Sequence, residues 1–207
     1  MPSFDSFDNL SKNGVLNFKE LHLEYIPNFL TSKSSNTLHK IFRNSIKWKN
    51  DNFKIMGKNY KVSRKVALYG DKNIFYKYSG SKKVAIPWTE NLIILKNKIE
   101  KISKTNYNSV LLNEYDDGEV YMGWHSDNER ELGINPTIAS VSLGSSRDFL
   151  FKHKFDKALK KVKINLSNGS LLIMKGRTQH LWNHCLPKRR LVHEGRINLT
   201  FRNIINS

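Results

Sequence analysis

Cysteine is nearly absent from this chain. A single thiol, Cys185, excludes an internal disulfide and any cysteine-rich zinc or iron–sulfur site, and it fits a reducing compartment. Any metal must therefore be held by histidine and carboxylate. Long apolar runs are missing as well: nothing approaches the roughly 18 residues of a membrane span. The opening segment MPSFDSFDNL carries acids where a secretory leader would carry basic residues. A soluble intracellular protein with no membrane partner is expected, nuclear in a eukaryote and cytoplasmic otherwise. Proline is scarce, 5 in 207 residues, and no Pro- or Gly-rich linker divides the chain. With 39% hydrophobic residues, the chain can bury a real core as one domain with an N-terminal elaboration, and a monomer is expected.

Acidic residues are also few, 18 against 35 Lys and Arg, for a net charge of +17. The imbalance is uneven. Residues 1–50 carry +3 (7 basic, 4 acidic), 51–104 carry +9 (13 and 4), and 144–207 carry +11 (14 and 3). Residues 105–143 reverse the sign, to −6 (1 and 7). A basic surface favours a polyanion such as nucleic acid through counterion release, although a Lys-, Asn- and Ile-rich composition also follows from an AT-rich genome. The acidic island is harder to explain by composition. It lies where a cation would have to be held.

The patterning predicts helices first and strands after, an α+β class. Leu92, Leu95, Ile99 and Ile102 recur at helical spacing behind Pro87 and Thr89. Residues 20–50 read as helical, with Ser35 or Asn36 as a start, and 51–88 as short strands and loops rich in Lys and Tyr. From 109 onward come short apolar or alternating runs at 109–115, 138–143, 148–153, 162–166, 170–174 and 196–202. Turn pairs such as Asp117-Gly118 and Asn168-Gly169 separate them. That half reads as a β-sandwich or jelly roll.

Within the acidic island stands His125-Ser126-Asp127. An HxD on or beside a strand presents imidazole and carboxylate on one face. A histidine from another strand would complete a two-His, one-carboxylate facial triad, which leaves positions open on Fe(II) for oxygen chemistry. The motif alone is weak, since chance supplies one in about three chains of this composition. His180 and His184, four apart, compete for the third place: they would share a face if this stretch were helical, and in a strand or loop both could not easily reach one metal. His22, His39, His153 and His193 read as packed or surface histidines.

The last run, Arg196 to Arg202, alternates Arg196, Asn198, Thr200 and Arg202 against Ile197, Leu199 and Phe201. An edge strand with a solvated basic face would look the same. Placed shortly after His184, the two guanidiniums and an amide instead suit a small dicarboxylate such as 2-oxoglutarate.

The segments LLNEYDDGEVYMGWHSDNERELG, IASVSLGSSRDFLFKHK, GSLLIMKGRTQHLWNHCLP and GRINLTFR resemble the catalytic domain of the AlkB family, nucleic-acid dealkylating dioxygenases dependent on Fe(II) and 2-oxoglutarate. The likeness runs from about residue 64 to 202. Upstream, VSRKVALYGD, YKYSG and PW resemble the nucleotide-recognition lid of the branch that repairs duplex DNA. Residues 1–50 match no motif.

The resemblance implies a double-stranded β-helix (jelly roll) core at about 105–203, a nucleotide-recognition lid at about 51–88, and an N-terminal helical extension, residues 1–50, packed on the domain formed by 51–207. His125, Asp127 and His184 would ligate Fe(II). Arg196, Arg202, Asn113, Tyr115 and Asn198 would hold 2-oxoglutarate. The implied reaction hydroxylates an N-methyl group of a base such as 1-methyladenine or 3-methylcytosine in DNA or RNA, releasing formaldehyde, succinate and CO2. Tyr76 and Tyr78, with Arg64, would receive the extruded base, although tyrosines two apart also mark a strand with one packed face. Glu129 would favour cationic alkylated rings. Met56, in the loop Lys54–Lys58, stands where duplex-acting relatives carry an aromatic wedge, and reads equally as a core residue. Lys188, Arg189 and Arg190 would clamp phosphate, or form a solvated loop. A 2-oxoglutarate oxygenase with a non-nucleic-acid substrate and a catalytically inactive nucleic-acid-binding homologue remain the other readings.

Overall fold

A computed structural model describes residues 14–205 apart from 56, 57, 79 and 80, and at 51–63 and 76–83 it describes the backbone alone. Strands β1 (Gly14–Phe18) and β2 (Leu21–Ile26) form a hairpin whose two turn residues, Lys19 and Glu20, both have positive φ (46° and 60°), as a two-residue turn between twisted strands requires. Helix α1 (Ser32–Ser45) follows, its first turn capped by Thr31, whose hydroxyl accepts from Ser34 N at 3.2 Å. Strands β3 (Lys49–Ile55) and β4 (Lys58–Gly70) pair antiparallel, β5 (Phe75–Tyr78) pairs with β6 (Ser81–Val84), and β7 (Ile86–Pro87) leads to helix α2 (Glu90–Ser103). The remainder is β8 (Ser109–Tyr115), β9 (Met122–His125), a 3-10 turn (Arg130–Leu132), β10 (Ile138–Gly144), β11 (Arg147–His153), β12 (Val162–Leu166), β13 (Leu171–Lys175), the short helix α3 (Thr178–Leu181), β14 (Trp182–Leu186) and β15 (Arg196–Arg202).

Two sheets face each other. The larger runs β1-β2-β13-β10-β15-β8-β4-β3, with β7 beside β4, and the smaller runs β12-β11-β14-β9. This is the jelly roll expected of the C-terminal half. Strands β8 and β15 are buried at every position. Period two explains how a strand can alternate chemically and still be wholly buried. Val110, Leu112, Ile197, Leu199 and Phe201 face a helical layer supplied by Phe42, Leu92, Leu95 and Ile99. The opposite face, Asn113, Tyr115, Arg196, Asn198, Thr200 and Arg202, lines a cavity between the sheets. Each fully buried Leu or Ile stabilises the helical layer by about 2 kcal/mol.

Three expectations change. Among the described residues of the N-terminal segment, strands accompany the helix: β2 alternates buried Leu21, Leu23 and Tyr25 with half-buried partners and joins the large sheet through β13. A period of two outweighed the apparent helical composition of that stretch. The helix starts at Ser32 behind Thr31, not at Ser35 or Asn36, because Thr31 supplies the cap. The boundary drawn at residue 50 falls inside β3, and the later part of β4, Lys65 to Gly70, pairs with β8 as an integral strand of the large sheet. Among the described residues no helix is long and apolar enough to cross a membrane.

Candidate active site

Histidines from two neighbouring strands converge because β9 and β14 pair with His125 opposite His184. Their Nε2 atoms stand 3.1 Å apart. Two nitrogens held cis on an octahedral ion at about 2.1 Å lie about 3 Å from one another, so this separation fits a shared metal. Asp127 sits just past the end of β9 and turns a carboxylate oxygen, Oδ1, toward His125 Nε2 at 3.9 Å. The ligand atoms of all three lie within 4.8 Å of each other.

The surrounding groups set the donor atoms. His125 Nδ1 lies 2.8 Å from the Gly123 carbonyl, which requires a proton on Nδ1 and leaves the Nε2 lone pair for a metal. His184 is packed in the small sheet against Phe149 and Phe151, with ring centroids 5.2 and 5.9 Å away. Burial, reinforced by His125, pulls its pKa down to about 3, so the ring is neutral at pH 7. Asp127 is buried, which by itself would raise its pKa, but Arg202, His184 and His125 together hold it well below the usual carboxylate range. Arg202 donates to Asp127 Oδ2 through Nη2 at 2.7 Å and Nε at 3.3 Å. The Asp127 backbone N–H donates to Gln179 Oε1 at 3.0 Å, which ties α3 to the main chain that carries the carboxylate. Two imidazoles with their Nε2 atoms turned to one point, and an ionised carboxylate beside them, form a donor set suited to a divalent metal.

Beside this cluster, Arg196 is 2% exposed and lies over the Tyr115 ring, 5.5 Å from its centroid. Its Nη2 donates to Ser142 Oγ at 2.9 Å, its Nε makes no hydrogen bond, and no described carboxylate pairs with it. Burial lowers its pKa to about 10, so it remains a cation at neutral pH. Asn113 Oδ1 is likewise buried without a partner. A buried guanidinium with no counter-anion is costly unless an anion joins it. The cavity, lined by both Arg196 and the metal-ligating residues, therefore suits a small carboxylate ligand.

The other sequence-predicted residues fall as follows. Asn198 donates to Ser140 Oγ at 2.7 Å and accepts from Thr200 Oγ1, on the cavity wall. Arg202 donates to Asp127 through Nε and Nη2 and also lines the cavity, whereas Arg196 pairs with no described carboxylate. Arg64 is buried on β4 and contacts Met122 Sδ through Nη1 at 3.1 Å, and Met122 lines the cavity. Glu129 is half-buried and precedes the 3-10 turn. Tyr76 and Tyr78 lie on β5, but their side chains, and Met56 altogether, are outside the described residues. His180 belongs to α3 and accepts from Asn135 N at 3.3 Å, away from the triad. His153 Nδ1 accepts from the Phe155 and Asp156 amides.

The basic loop differs from a free clamp. Arg189 is bound to Asp148 Oδ2 by Nε and Nη2 at 2.8 and 2.7 Å, while Lys188 and Arg190 share Glu119 at 3.1 and 3.2 Å. Glu114 pairs with Lys65 at 3.0 Å. Much of the acidic island is thus neutralised locally, since acids and bases far apart in sequence meet in space.

One buried residue escaped the sequence reading. Arg147, 1% exposed, donates to the carbonyls of Asp117, Gly118, Val120 and Pro187 at 2.8 to 3.4 Å. It pins the β8–β9 turn to the segment after β14. Its only signal was a charged residue opening an apolar strand.

A family model described as the 2OG-Fe(II) oxygenase superfamily matches residues 22–202. The chain is 40% identical over 157 residues to the bovine "DNA oxidative demethylase ALKBH2", covering 73% of this chain and 56% of that protein. It is 36% identical over 186 residues to the bovine "Alpha-ketoglutarate-dependent dioxygenase alkB homolog 3", covering 86% and 64%. The chain thus spans less than two thirds of the length of these relatives. Among solved structures, "The structure of OsALKBH1" superposes with a TM-score of 0.67 at 16% identity, over 92% of this chain and all of that one, which is a likeness of fold.

Proposed function

Because the chain belongs to the 2OG-Fe(II) oxygenase superfamily, and within it to the AlkB family, we propose that it is an oxidative nucleic-acid demethylase using Fe(II), O2 and 2-oxoglutarate. The observation that carries this reading is the pair of Nε2 atoms 3.1 Å apart beside Asp127, in a cavity that also holds an unpaired buried guanidinium. The metal would be held by His125, Asp127 and His184, and the keto acid by Arg196 and Arg202 with Tyr115, Asn113 and Asn198. Together with O2, these groups when bound supply the oxidant that hydroxylates an N-methyl carbon, while the keto acid leaves as succinate and CO2.

The chain's own residues prepare that chemistry. Burial keeps His184 neutral, and the Gly123 carbonyl fixes the tautomer of His125. Arg202 occupies Asp127 Oδ2, so the carboxylate offers Oδ1 to a metal in one orientation. Phe149, Phe151 and Met174 surround the site with apolar groups and exclude bulk water. The substrates proposed are 1-methyladenine and 3-methylcytosine in DNA, and possible action on RNA belongs to the same test. The protein would act as a monomer, in the nucleus of a eukaryote or the cytoplasm of a prokaryote.

The test is incubation with Fe(II), 2-oxoglutarate and ascorbate in air, using 1-methyladenine in single-stranded DNA, duplex DNA and RNA. Loss of the mass of one CH2 from the base, with formaldehyde release, both dependent on 2-oxoglutarate and absent in His184→Ala, is expected. Succinate without demethylation would reassign the substrate. Metal-loaded protein that forms neither product would overturn the enzyme reading.

A further inference from the structure

The small sheet has two faces of opposite character. His125, His184 and Phe149 point into the cavity. Side chains one position along each strand point the other way. On that outer face Trp124 of β9 is 36% exposed, with Lys152 Nζ 4.5 Å and Lys161 Nζ 5.8 Å from its ring centroid. Lys152 comes from β11, two strands across the sheet, and Lys161 from the residue before β12. Neither lysine is in an ion pair with a described carboxylate. The patch therefore joins an exposed indole to two unneutralised ammonium groups.

Its position matters as much as its composition. β9 is the edge strand of the small sheet, and Trp124 is the chain neighbour of His125. The outer face is therefore separated from the metal-ligand cavity by the edge strand itself. The same edge carries Tyr121, half exposed, with Lys188 Nζ 5.3 Å from its ring.

Resting on the functional reading above, we propose that the outer face of the small sheet is a docking track for single-stranded DNA flanking the target base, with Trp124 as a stacking platform and Lys152 and Lys161 as phosphate contacts. An indole face can stack a base only when that base has left its own stack, which a single strand allows and an intact duplex does not. Duplex DNA, with a persistence length of about 150 base pairs, cannot lie across the cavity mouth and also turn around β9 onto the opposite face. A single strand makes that turn freely. The cation–π contacts that seat both lysines on the indole hold positive charge where the phosphates between stacked bases would run.

The probe is unmodified dT15, together with a mixed-sequence 15-mer duplex and the matching RNA, bound to the full chain loaded with Mn(II) and 2-oxoglutarate. Trp124→Ala should weaken dT15 at least about fivefold, Trp124→Phe should retain most of the affinity, and the duplex should change less than twofold. Lys152→Gln and Lys161→Gln should each lower the slope of log K against log salt for dT15 by about 0.7. Unchanged dT15 affinity in Trp124→Ala overturns the proposal, as does equal loss on the duplex, which would mark a general basic surface. A larger loss on RNA than on dT15 overturns the assignment to DNA. Thermal melting and Mn(II) affinity of each variant establish that fold and metal site persist.

Because dT15 carries no lesion, the result stands apart from catalysis. A Trp124-dependent dT15 affinity in a protein that demethylates nothing would retain the surface and remove the enzyme reading. Demethylation of 15-mers with a KM unmoved in Trp124→Ala would do the reverse.

Discussion

Arg202 Nη2 lies 2.7 Å from Asp127 Oδ2, and both side chains are more than nine-tenths buried. The arginine closes a strand whose first residue, Arg196, makes no such pair, so two guanidiniums in the same pattern take different work. Removing one partner of a buried ion pair strands the other and costs about 3–5 kcal/mol, while the intact pair fixes geometry more than it adds stability. Arg202→Met should therefore leave Asp127 buried and misoriented. Mn(II) affinity should fall by 10- to 100-fold, roughly as for other groups that orient a ligand. Isothermal titration measures it, and unchanged affinity would show that Asp127 is oriented by the Gln179 contact alone.

Arg196 makes a separate prediction, because it has Ser142 and the Tyr115 ring but no carboxylate. Arg196→Met should raise the KM for 2-oxoglutarate by at least about 30-fold with little change in Mn(II) affinity. Arg196→Lys should not rescue it, since an ammonium cannot donate as a fork to a carboxylate. Succinate formation without nucleic acid is the readout. A KM unchanged in Arg196→Met would move the keto acid elsewhere.

The sequence made some of this legible and hid the rest for physical reasons. The runs at 109–115, 162–166 and 196–202 appear with those bounds, because each alternates or stays apolar between clear turn residues. Thr89 and Leu92, Leu95 and Ile99 likewise announced α2. The ligand types were readable from HxD and a distant histidine, but the 3.1 Å approach of His125 to His184 depends on the register of β9 against β14, which no local pattern records. β2 was missed because Leu21, Leu23 and Tyr25 are too few to distinguish period two from an irregular helix face. The ion pair of Arg202 with Asp127 was hidden because the two lie 75 residues apart, although Arg202 also lines the cavity. The same holds for Arg189 and Asp148, which turn a basic run into a structural tie.

Acid should destabilise the metal-free protein in a window set by His184. Its pKa is about 3 folded against 6.5 for an exposed histidine, so the unfolded chain binds more protons between those values. Stability is fully present above about pH 6.5 and declines as pH falls toward 3, and Asp127, also depressed, adds to the loss below about pH 4. Urea midpoints between pH 7.5 and 4 should fall steadily in the wild type, and His184→Phe should flatten the part between 6.5 and 4. A wild-type midpoint flat down to pH 4.5 would contradict the burial of a neutral His184.

The junction of the β8–β9 turn with the segment after β14 should depend on Arg147 and on one glycine. The guanidinium satisfies four carbonyls from two segments that meet at Gly118, whose amide donates to Val192 O and whose carbonyl accepts from Arg189 N, both at 2.8 Å. A Cβ on Gly118 would stand 1.8 Å from the Arg189 carbonyl oxygen, a backbone atom that cannot swing aside. Arg147→Met strands buried carbonyls, and should cost about 2–4 kcal/mol. Gly118→Ala should force the two segments apart and release Lys188 and Arg190 from Glu119. Both variants should lose urea stability, but they should differ at the site: Arg147→Met also removes a positive charge that bears on Arg196, so its KM for 2-oxoglutarate should change while that of Gly118→Ala stays within about twofold. Equal effects of the two variants on that KM would show that the geometry of this junction, rather than the buried charge, governs the keto-acid pocket.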